Sequence, residues 1–213
     1  MVTILLNKIN ESKNISIIRK HLSNDGLIIY PTDTLYGLGC NFFSSHAIKK
    51  IDKIKGRSGT PYSVIVSDLK MLSKITEINP RYSDIFINLF PGKITLITKL
   101  SISVNGHPYK KEGTVGVRIP DIDEILQMVE YMGFPIVSTS VNISSDKPLN
   151  NIIQIKDFIR RVSIENDLIL IDGGDLPESL GSTIIDISKN HPEIIREGDS
   201  LNKIKKHFSK LNL

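Results

Sequence analysis

One cysteine, Cys40, and no tryptophan occur among the 213 residues. A single cysteine excludes an internal disulfide and a cluster of thiolate metal ligands within one chain, which favours a reducing compartment. No apolar stretch approaches the ~20 residues that span a bilayer, and the N-terminus lacks the long apolar core and cleavage site of a signal peptide. We therefore expect a cytoplasmic protein that makes no membrane contact.

Arginine is also scarce, with 7 arginines against 20 lysines. The net charge of +4 is compatible with nucleic-acid binding, because clustered cations gain affinity by releasing counterions from phosphates. However, only 6% of the residues are aromatic, which argues against a base-stacking surface. The 36 isoleucines and 20 lysines are typical of an AT-rich coding sequence, so most lysines are expected to be solvated. Arg57, Arg118 and Arg196 carry more information, because each falls inside a motif.

Several common catalytic signatures are missing. The sequence contains no G-x-x-x-x-G-K-[ST] phosphate loop, no G-x-G-x-x-G after the first strand and no G-x-S-x-G nucleophile elbow. The five histidines stand at spacings that match no ligand pair such as H-E-x-x-H. We therefore predict no metal site formed by the protein itself.

Apolar periodicity predicts alternating helices and strands along the chain. Helices are predicted over residues 10–22, from Ser44 or Ser45 to Gly56, over 68–75 and 81–89, from Asp121 or Asp123 to Gly133, over 151–162, and from Leu201 onward. Strands are predicted over 27–30, 62–66, 94–98, 114–119, 135–138, 168–171, 183–187 and 193–195, the last two as an antiparallel pair. This alternation indicates one α/β or α+β domain over residues 1–213, with a mixed, twisted sheet. The longest polar gap, residues 101–113, is either a mobile lid or a wide turn.

Polar residues follow apolar strands abruptly in several places, where ligands of α/β folds usually bind. These segments are residues 31–39, 55–57, 116–120, 138–142 and 181–183 with 196–198. Taken alone, residues 31–39 are best interpreted as an ordinary turn with Pro and Gly. The hydroxyls and amide of residues 138–142 either bind a phosphate or a base, or satisfy their own backbone.

The cations in these segments have two interpretations. Lys55 and Arg57 either complement a helix dipole, worth ~0.3 to 1 kcal/mol, or bind different oxygens of one phosphate chain. Arg118 lies near the end of an apolar strand. Because a buried arginine without an anion is costly, it requires a carboxylate partner or a bound ligand.

Seven stretches together resemble the YrdC-type domain of the threonylcarbamoyl-AMP synthase family. They are YPTDTLYGLGC, KIKGRSGTPYSVIV, FPGKITLITK, TVGVRIP, PIVSTSVNIS, GSTIIDIS and IIREG, in this order over roughly residues 10 to 200. The resemblance implies a twisted mixed α/β sheet with a large, positively charged cavity. It also implies condensation of L-threonine, bicarbonate and ATP to L-threonylcarbamoyl-adenylate and pyrophosphate, for modification of the tRNA adenosine next to the anticodon.

The resemblance assigns roles to particular residues. Lys55, Arg57, Ser140 and Asn142 match the family's catalytic set, which binds ATP and stabilises the transition state. Thr34, Arg118 and Ser182 are expected to bind threonine, and Thr114, Ser138 and Arg196 to line the nucleotide side. Mg²⁺ is expected to accompany ATP, and tRNA or the machinery that transfers the threonylcarbamoyl group are candidate partners.

Departures from the family pattern affect the rim of the cavity. Ser58 replaces a usual Pro, Ile65 stands where many members carry His, Lys93 replaces a Pro and Ser145 replaces a Gly. A paralogue similar to YciO, with another carbamoyl or nucleotide substrate, therefore remains an alternative, although such paralogues often lack the four catalytic residues. An RNA-binding module of the same fold is a second alternative. We expect no additional C-terminal domain.

Overall fold

The computed structural model describes residues 1–56, 62–104, 113–143 and 146–211, in which eleven strands form one sheet. The strands are β1 (Val2–Leu5), β2 (Leu27–Tyr30), β3 (Gly37–Asn41), β4 (Ser63–Ile65), β5 (Thr76–Glu77), β6 (Ile94–Leu100), β7 (Thr114–Arg118), β8 (Ile136–Ser140), β9 (Leu168–Asp172), β10 (Thr183–Asp186) and β11 (Glu193–Arg196). The helices are α1 (Ser12–Ser23), α2 (Ser45–Lys55), α3 (Leu69–Ile75), α4 (Ser83–Leu89), α5 (Asp123–Met132), α6 (Ile152–Arg161) and α7 (Leu201–Leu211).

The sheet mixes parallel and antiparallel pairs. Its strand order is β1-β9-β2-β3-β8-β4-β7-β6-β10-β11, with β5 added to β6. Strands β1 and β2 both run parallel to β9, β4 runs parallel to β7, and β6 runs parallel to β10. The remaining pairs are antiparallel, including the predicted pair β10–β11. The predicted fold, a mixed sheet flanked by helices, is confirmed.

Two neighbouring rows of side chains give the central sheet two different faces, because successive residues of a strand point to opposite sides. One row consists of fully buried apolar residues paired from β3 to β10: Cys40, Val137, Val64, Val117, Leu96 and Ile185. The next row begins with small residues paired in the same way: Gly39, Ser138, Ser63 and Gly116. The apolar face belongs to the core, and the small residues leave space on the other face.

Helix α2 shows how local signals place a functional residue. The Ser44 hydroxyl accepts the Ala47 N–H at 2.9 Å and begins the helix, and Gly56, at φ 64°, ends it in the left-handed conformation that favours glycine. Ala47, Ile48 and Ile51 are buried on one face. These predicted boundaries are confirmed, and they place Lys55 in the last turn.

Strands β1, β3 and β5 were not predicted. The interpretation of residues 31–39 as a turn is right only for its first part, since β3 begins at Gly37 and pairs with β2 and β8. Glycine at this place has a steric cause: a Cβ on Gly39 would lie 2.4 Å from the Val137 oxygen, and one on Gly37 would lie 2.9 Å from the Ser138 hydroxyl.

A single domain over residues 1–213 stays a prediction. In the described ranges, no helix has the length and apolar character needed to cross a bilayer.

Candidate active site

A cavity of about 900 Å³ opens over the row of small residues. Its floor includes Gly37, Ser63 and Ser138, and its walls come from the loop after β2, the end of α2 and the segment before β10. A volume of this size lies in the range of small-molecule sites, ~300 to 1,000 Å³. The described lining residues include four cationic side chains and two carboxylates, which suits an anionic ligand.

Lys55 lines this cavity and connects the last turn of α2 to the end of β8. Its side chain is buried, and its ammonium donates to the main-chain oxygens of Ser140 at 3.0 Å and Asn142 at 2.8 Å, and to Asn142 Oδ1. The Ser140 hydroxyl donates to the same Oδ1 at 2.8 Å. Three members of the predicted catalytic set therefore meet in one hydrogen-bonded cluster. Its fourth member, Arg57, lies outside the described residues.

The amide of Asn142 has a second function in this cluster. While Oδ1 accepts from Lys55 and Ser140, Nδ2 donates to the main-chain oxygen of Asp146 at 2.6 Å. An amide has both an acceptor and a donor end, so Asn142 can connect the lysine to the turn that follows β8. An ionised carboxylate at position 142 could accept from Lys55 but could not donate to the Asp146 oxygen.

Arg118 forms an ion pair with Asp33. The side chains retain only 10% and 8% of their exposure, respectively, and Nη2 of Arg118 donates to Oδ1 of Asp33. Asp33 supplies the carboxylate, one of the two partners, carboxylate or ligand, that the sequence predicted for Arg118. Arg118 lines the cavity, whereas Asp33 does not belong to the described lining residues.

Arg196 is bound to the segment before β10. Its Nε and Nη2 donate to the main-chain oxygen of Ser182 at 3.2 and 2.7 Å, and Nη2 also donates to the Ser182 hydroxyl at 3.1 Å. The Ser182 hydroxyl in turn lies 2.7 Å from the Thr95 hydroxyl. Burial lowers the pKa of Arg196, and the nearby charge of Arg118 lowers it further. Arg196 and Ser182 thus form one unit in the wall.

The other predicted residues are placed as follows. Thr34 is buried and lines the cavity, with its hydroxyl 3.1 Å from that of Thr32. Ser138 also lines the cavity. Thr114 shares a face of β7 with Arg118 but lies four positions away, roughly 13 Å along a strand, and does not belong to the described lining residues. The binding roles of all these residues stay predictions.

Two residues of the site were not assigned a role from the sequence. Asp33 stands between two threonines of a noted segment, and the need of Arg118 for a carboxylate was the available signal. Tyr36 lies in the same segment, but nothing in the sequence indicated a partner for its hydroxyl. This hydroxyl donates to the Gly174 oxygen at 2.7 Å and accepts the Gly173 N–H at 2.9 Å, which attaches the loop after β9 to the cavity wall. Burial raises the pKa of Tyr36 to about 12.

Comparison with known families gives a match over most of the chain. A family model named Sua5/yciO/yrdC, with the description "Telomere recombination", matches residues 20–198. The chain belongs to this family. A Sua5/YciO/YrdC relative, threonylcarbamoyl-AMP synthase of Mus musculus, is 32% identical over 170 residues, which cover 76% of this chain and 58% of that protein. The chain therefore spans little more than half the length of this relative.

Solved structures of the Sua5/YciO/YrdC family show the same fold. P. abyssi Sua5 complexed with L-threonine superposes with a TM-score of 0.82 at 27% identity, covering 96% of this chain and 59% of that chain. E. coli YciO superposes with a TM-score of 0.79 at 26% identity, covering 94% and 96%. The family and the sheet architecture are established by these similarities.

Proposed function

We propose that the protein synthesises L-threonylcarbamoyl-adenylate from L-threonine, bicarbonate and ATP, with release of pyrophosphate. The observation that carries this proposal is the cluster of Lys55, Ser140 and Asn142 in the same cavity as Arg118 and Arg196. Cations and hydrogen-bond donors around one cavity suit a reaction in which charge develops on a phosphate. Its relatives named threonylcarbamoyl-AMP synthase support the assignment.

The chemistry requires positioning more than a protein nucleophile. The threonine amine combines with bicarbonate to give a carbamate and water, and a carbamate oxygen then forms a bond to the α-phosphorus of ATP. The bond from that phosphorus to the bridging oxygen breaks, and pyrophosphate leaves. Holding both reactants in line supplies much of the rate enhancement.

We assign the site residues to the two substrates. Lys55, Ser138, Ser140, Asn142 and Arg196, which line the cavity, bind ATP, and Thr34, Arg118 and Ser182, which also line it, bind threonine. The assignment of Arg57 and Thr114 to ATP rests on the family resemblance alone. The Arg196–Ser182 contacts join the two groups, as expected where carbamate and α-phosphate react. The P. abyssi Sua5 structure with L-threonine supports a threonine site in this fold.

Mg²⁺ enters with ATP as the Mg-ATP complex in this proposal. In the parts of the chain that the structure describes, no group of three or more His, Cys, Asp or Glu side chains could hold a metal ion, and Mg²⁺ commonly binds through phosphates and water. We place the protein in the cytoplasm, where the product would serve modification of the tRNA adenosine beside the anticodon, with tRNA or the threonylcarbamoyl-transfer machinery as partners.

Pyrophosphate release tests the proposal. Wild-type protein should release pyrophosphate from Mg-ATP only when L-threonine and bicarbonate are both present. Arg57→Ala and Asn142→Ala should each abolish most of this activity, whereas Lys50→Ala should retain it, because Lys50 pairs with Asp167 outside the cavity lining. Unchanged rates in both site variants would contradict the assigned site.

A second candidate is a paralogue similar to E. coli YciO. That structure is 26% identical to this chain, close to the 27% identity of P. abyssi Sua5. A YciO-like paralogue would use another carbamoyl or nucleotide substrate. Pyrophosphate release that proceeds equally well with other amino acids or without threonine would favour this candidate.

A further inference from the structure

The ion pair between Arg118 and Asp33 leaves two buried polar atoms without a hydrogen bond in the part of the chain that the structure describes. Within the described residues, Asp33 Oδ2 and Arg118 Nε are buried side-chain atoms without a hydrogen-bond partner. They belong to the same ion pair, in which Asp33 uses only Oδ1 and Arg118 is bound through Nη2. The pair is therefore joined by one contact rather than by the bidentate contact that a guanidinium and a carboxylate can form.

A turn closed by hydrogen bonds holds Asp33 next to the guanidinium of Arg118. The Thr32 hydroxyl accepts the N–H groups of Thr34 and Leu35, each at 3.2 Å, and donates to the Leu35 oxygen at 2.6 Å. The Thr32 N–H donates to the same oxygen at 3.2 Å. The backbone on both sides of Asp33 is thus fixed by hydrogen bonds, which present its carboxylate to Arg118.

The charges around Arg118 explain why a fixed anion is needed. Arg118 and Arg196 line the same cavity, and the charge of Arg118 is one of the two effects that lower the pKa of Arg196. Two desolvated guanidinium groups repel each other, and burying either without a partner is costly. Asp33 compensates the charge of Arg118 from outside the described lining, so it leaves the cavity side of Arg118 open to a ligand.

We propose that Asp33 is the positioning residue of Arg118: through its single ion-pair contact it holds the guanidinium in the orientation that binds the carboxylate of the amino-acid substrate. This inference rests on the proposed function for the identity of that substrate. Asp33 does not line the cavity, so it acts through Arg118 and not on the reacting atoms.

The test compares Asp33→Asn with a control, Asp186→Asn. Asp186 is also a largely buried carboxylate that pairs with a lysine, Lys189, but it does not belong to the described cavity lining. In Asp33→Asn, the KM for L-threonine should rise roughly 10- to 100-fold, while the KM for ATP should stay within about twofold of the wild-type value. Asp186→Asn should leave both constants within about twofold.

Substrate analogues separate positioning from a general structural role. Calorimetry should show that Asp33→Asn weakens binding of L-threonine but not of L-threoninol, which has no carboxylate for Arg118 to bind. Asp33→Glu, which keeps the charge, should recover part of the threonine affinity, and it replaces Asp33→Asn if that variant does not fold. Equal losses for threonine and threoninol, or an unchanged threonine KM, would overturn the inference.

The calorimetric arm also separates this inference from the proposed function. If wild-type protein binds L-threonine but releases no pyrophosphate, the proposed reaction fails while the role of Asp33 is still measured. If the wild type turns over and Asp33→Asn keeps the wild-type KM for threonine, the reaction stands and the role of Asp33 fails.

Discussion

The ammonium group of Lys55 donates to both the main-chain oxygen and the side-chain Oδ1 of Asn142, 87 residues further along the chain. Together with its contact to the Ser140 oxygen, this gives the ammonium three acceptors within the described parts of the chain. Lys55 therefore has a structural role, because it fixes the backbone at the end of β8 and just after it. This role is separate from its proposed contact with a phosphate.

Removal of Lys55 should therefore reduce both activity and stability. We expect Lys55→Ala to lower kcat/KM for pyrophosphate release by at least about 100-fold, since the catalytic cluster loses its centre. The free energy of unfolding should fall by about 2 to 3 kcal/mol, because buried oxygens of Ser140 and Asn142 lose their donor. Urea unfolding and steady-state kinetics check the two effects. A variant with full stability and wild-type activity would contradict the role of Lys55, and Lys50→Ala is the matched control.

The two ends of the Asn142 amide give a second prediction. Asn142→Asp keeps an acceptor for Lys55 but loses the donation from Nδ2 to the Asp146 oxygen, and it adds a negative charge in the cavity. We expect the KM for ATP to rise about tenfold or more, with a smaller change in the KM for threonine. Initial rates at varied ATP and varied threonine distinguish the two. A larger effect on the KM for threonine would indicate that the ATP-binding and threonine-binding residues are assigned in reverse.

Arg196 and Ser182 should respond differently to truncation. Ser182→Ala removes a hydroxyl assigned to threonine, so the KM for threonine should rise while that for ATP changes little. Arg196→Ala removes a side chain assigned to ATP and also removes the donors to the main-chain oxygen of Ser182. The KM values for ATP and for threonine should therefore both rise, by roughly tenfold or more. Lys205→Ala is the control, because Lys205 pairs with Glu197 and does not belong to the described lining. Identical KM profiles for the two site variants would argue against this division.

Glycine in β3 should be required by packing. A methyl group on Gly39 would lie 2.4 Å from the Val137 main-chain oxygen, whereas the nearest neighbour of one on Gly116 would be the Thr95 methyl, at 3.2 Å. We expect Gly39→Ala to lower the free energy of unfolding by about 2 to 3 kcal/mol and Gly116→Ala to change it by less than about 1 kcal/mol. Chemical denaturation measures both. A well-folded Gly39→Ala variant with unchanged stability would contradict the close approach of β3 to β8 at this position.

Cys40 supplies a prediction on pH. Burial raises the pKa of the Cys40 thiol, Asp25 adds to this effect and Lys50 partly opposes it. Because the folded state holds this proton more tightly than the unfolded state, the thiol contributes stability below the unfolded pKa of about 9, and this contribution is lost as the pH rises toward the folded pKa. Wild-type protein should therefore lose more unfolding free energy between pH 8 and pH 10 than Cys40→Ala, by up to roughly 1 kcal/mol. Equal losses would contradict the raised pKa.

Local sequence signals predicted those parts of the fold that local interactions determine. Helix α2 has an apolar face, the cap Ser44 and the terminal Gly56, so its position followed from its own residues. Strand β3 did not, because it contains two glycines, which are rare in strands, and it depends on contacts with β2 and β8. Strand β1 is short and pairs with β9, at the other end of the chain.

The residues of the site also divide into those that the sequence predicted and those whose partners only the fold shows. Burial physics required an anion for Arg118, but only the fold shows that Asp33, 85 residues away, supplies it. Periodicity carries no information on whether Lys55 and Asn142 meet. That expectation came from the resemblance of several motifs to one family, and the structure brings the two residues together.

Product analysis with isotopically labelled bicarbonate tests the central claim most directly. Protein incubated with Mg-ATP, L-threonine and labelled bicarbonate should form a product with the mass of threonylcarbamoyl-adenylate that carries one labelled carbon, and Arg118→Ala should form far less of it. Pyrophosphate released without this labelled product, or at the same rate without threonine, would contradict the claim that the cavity joins threonine, bicarbonate and ATP.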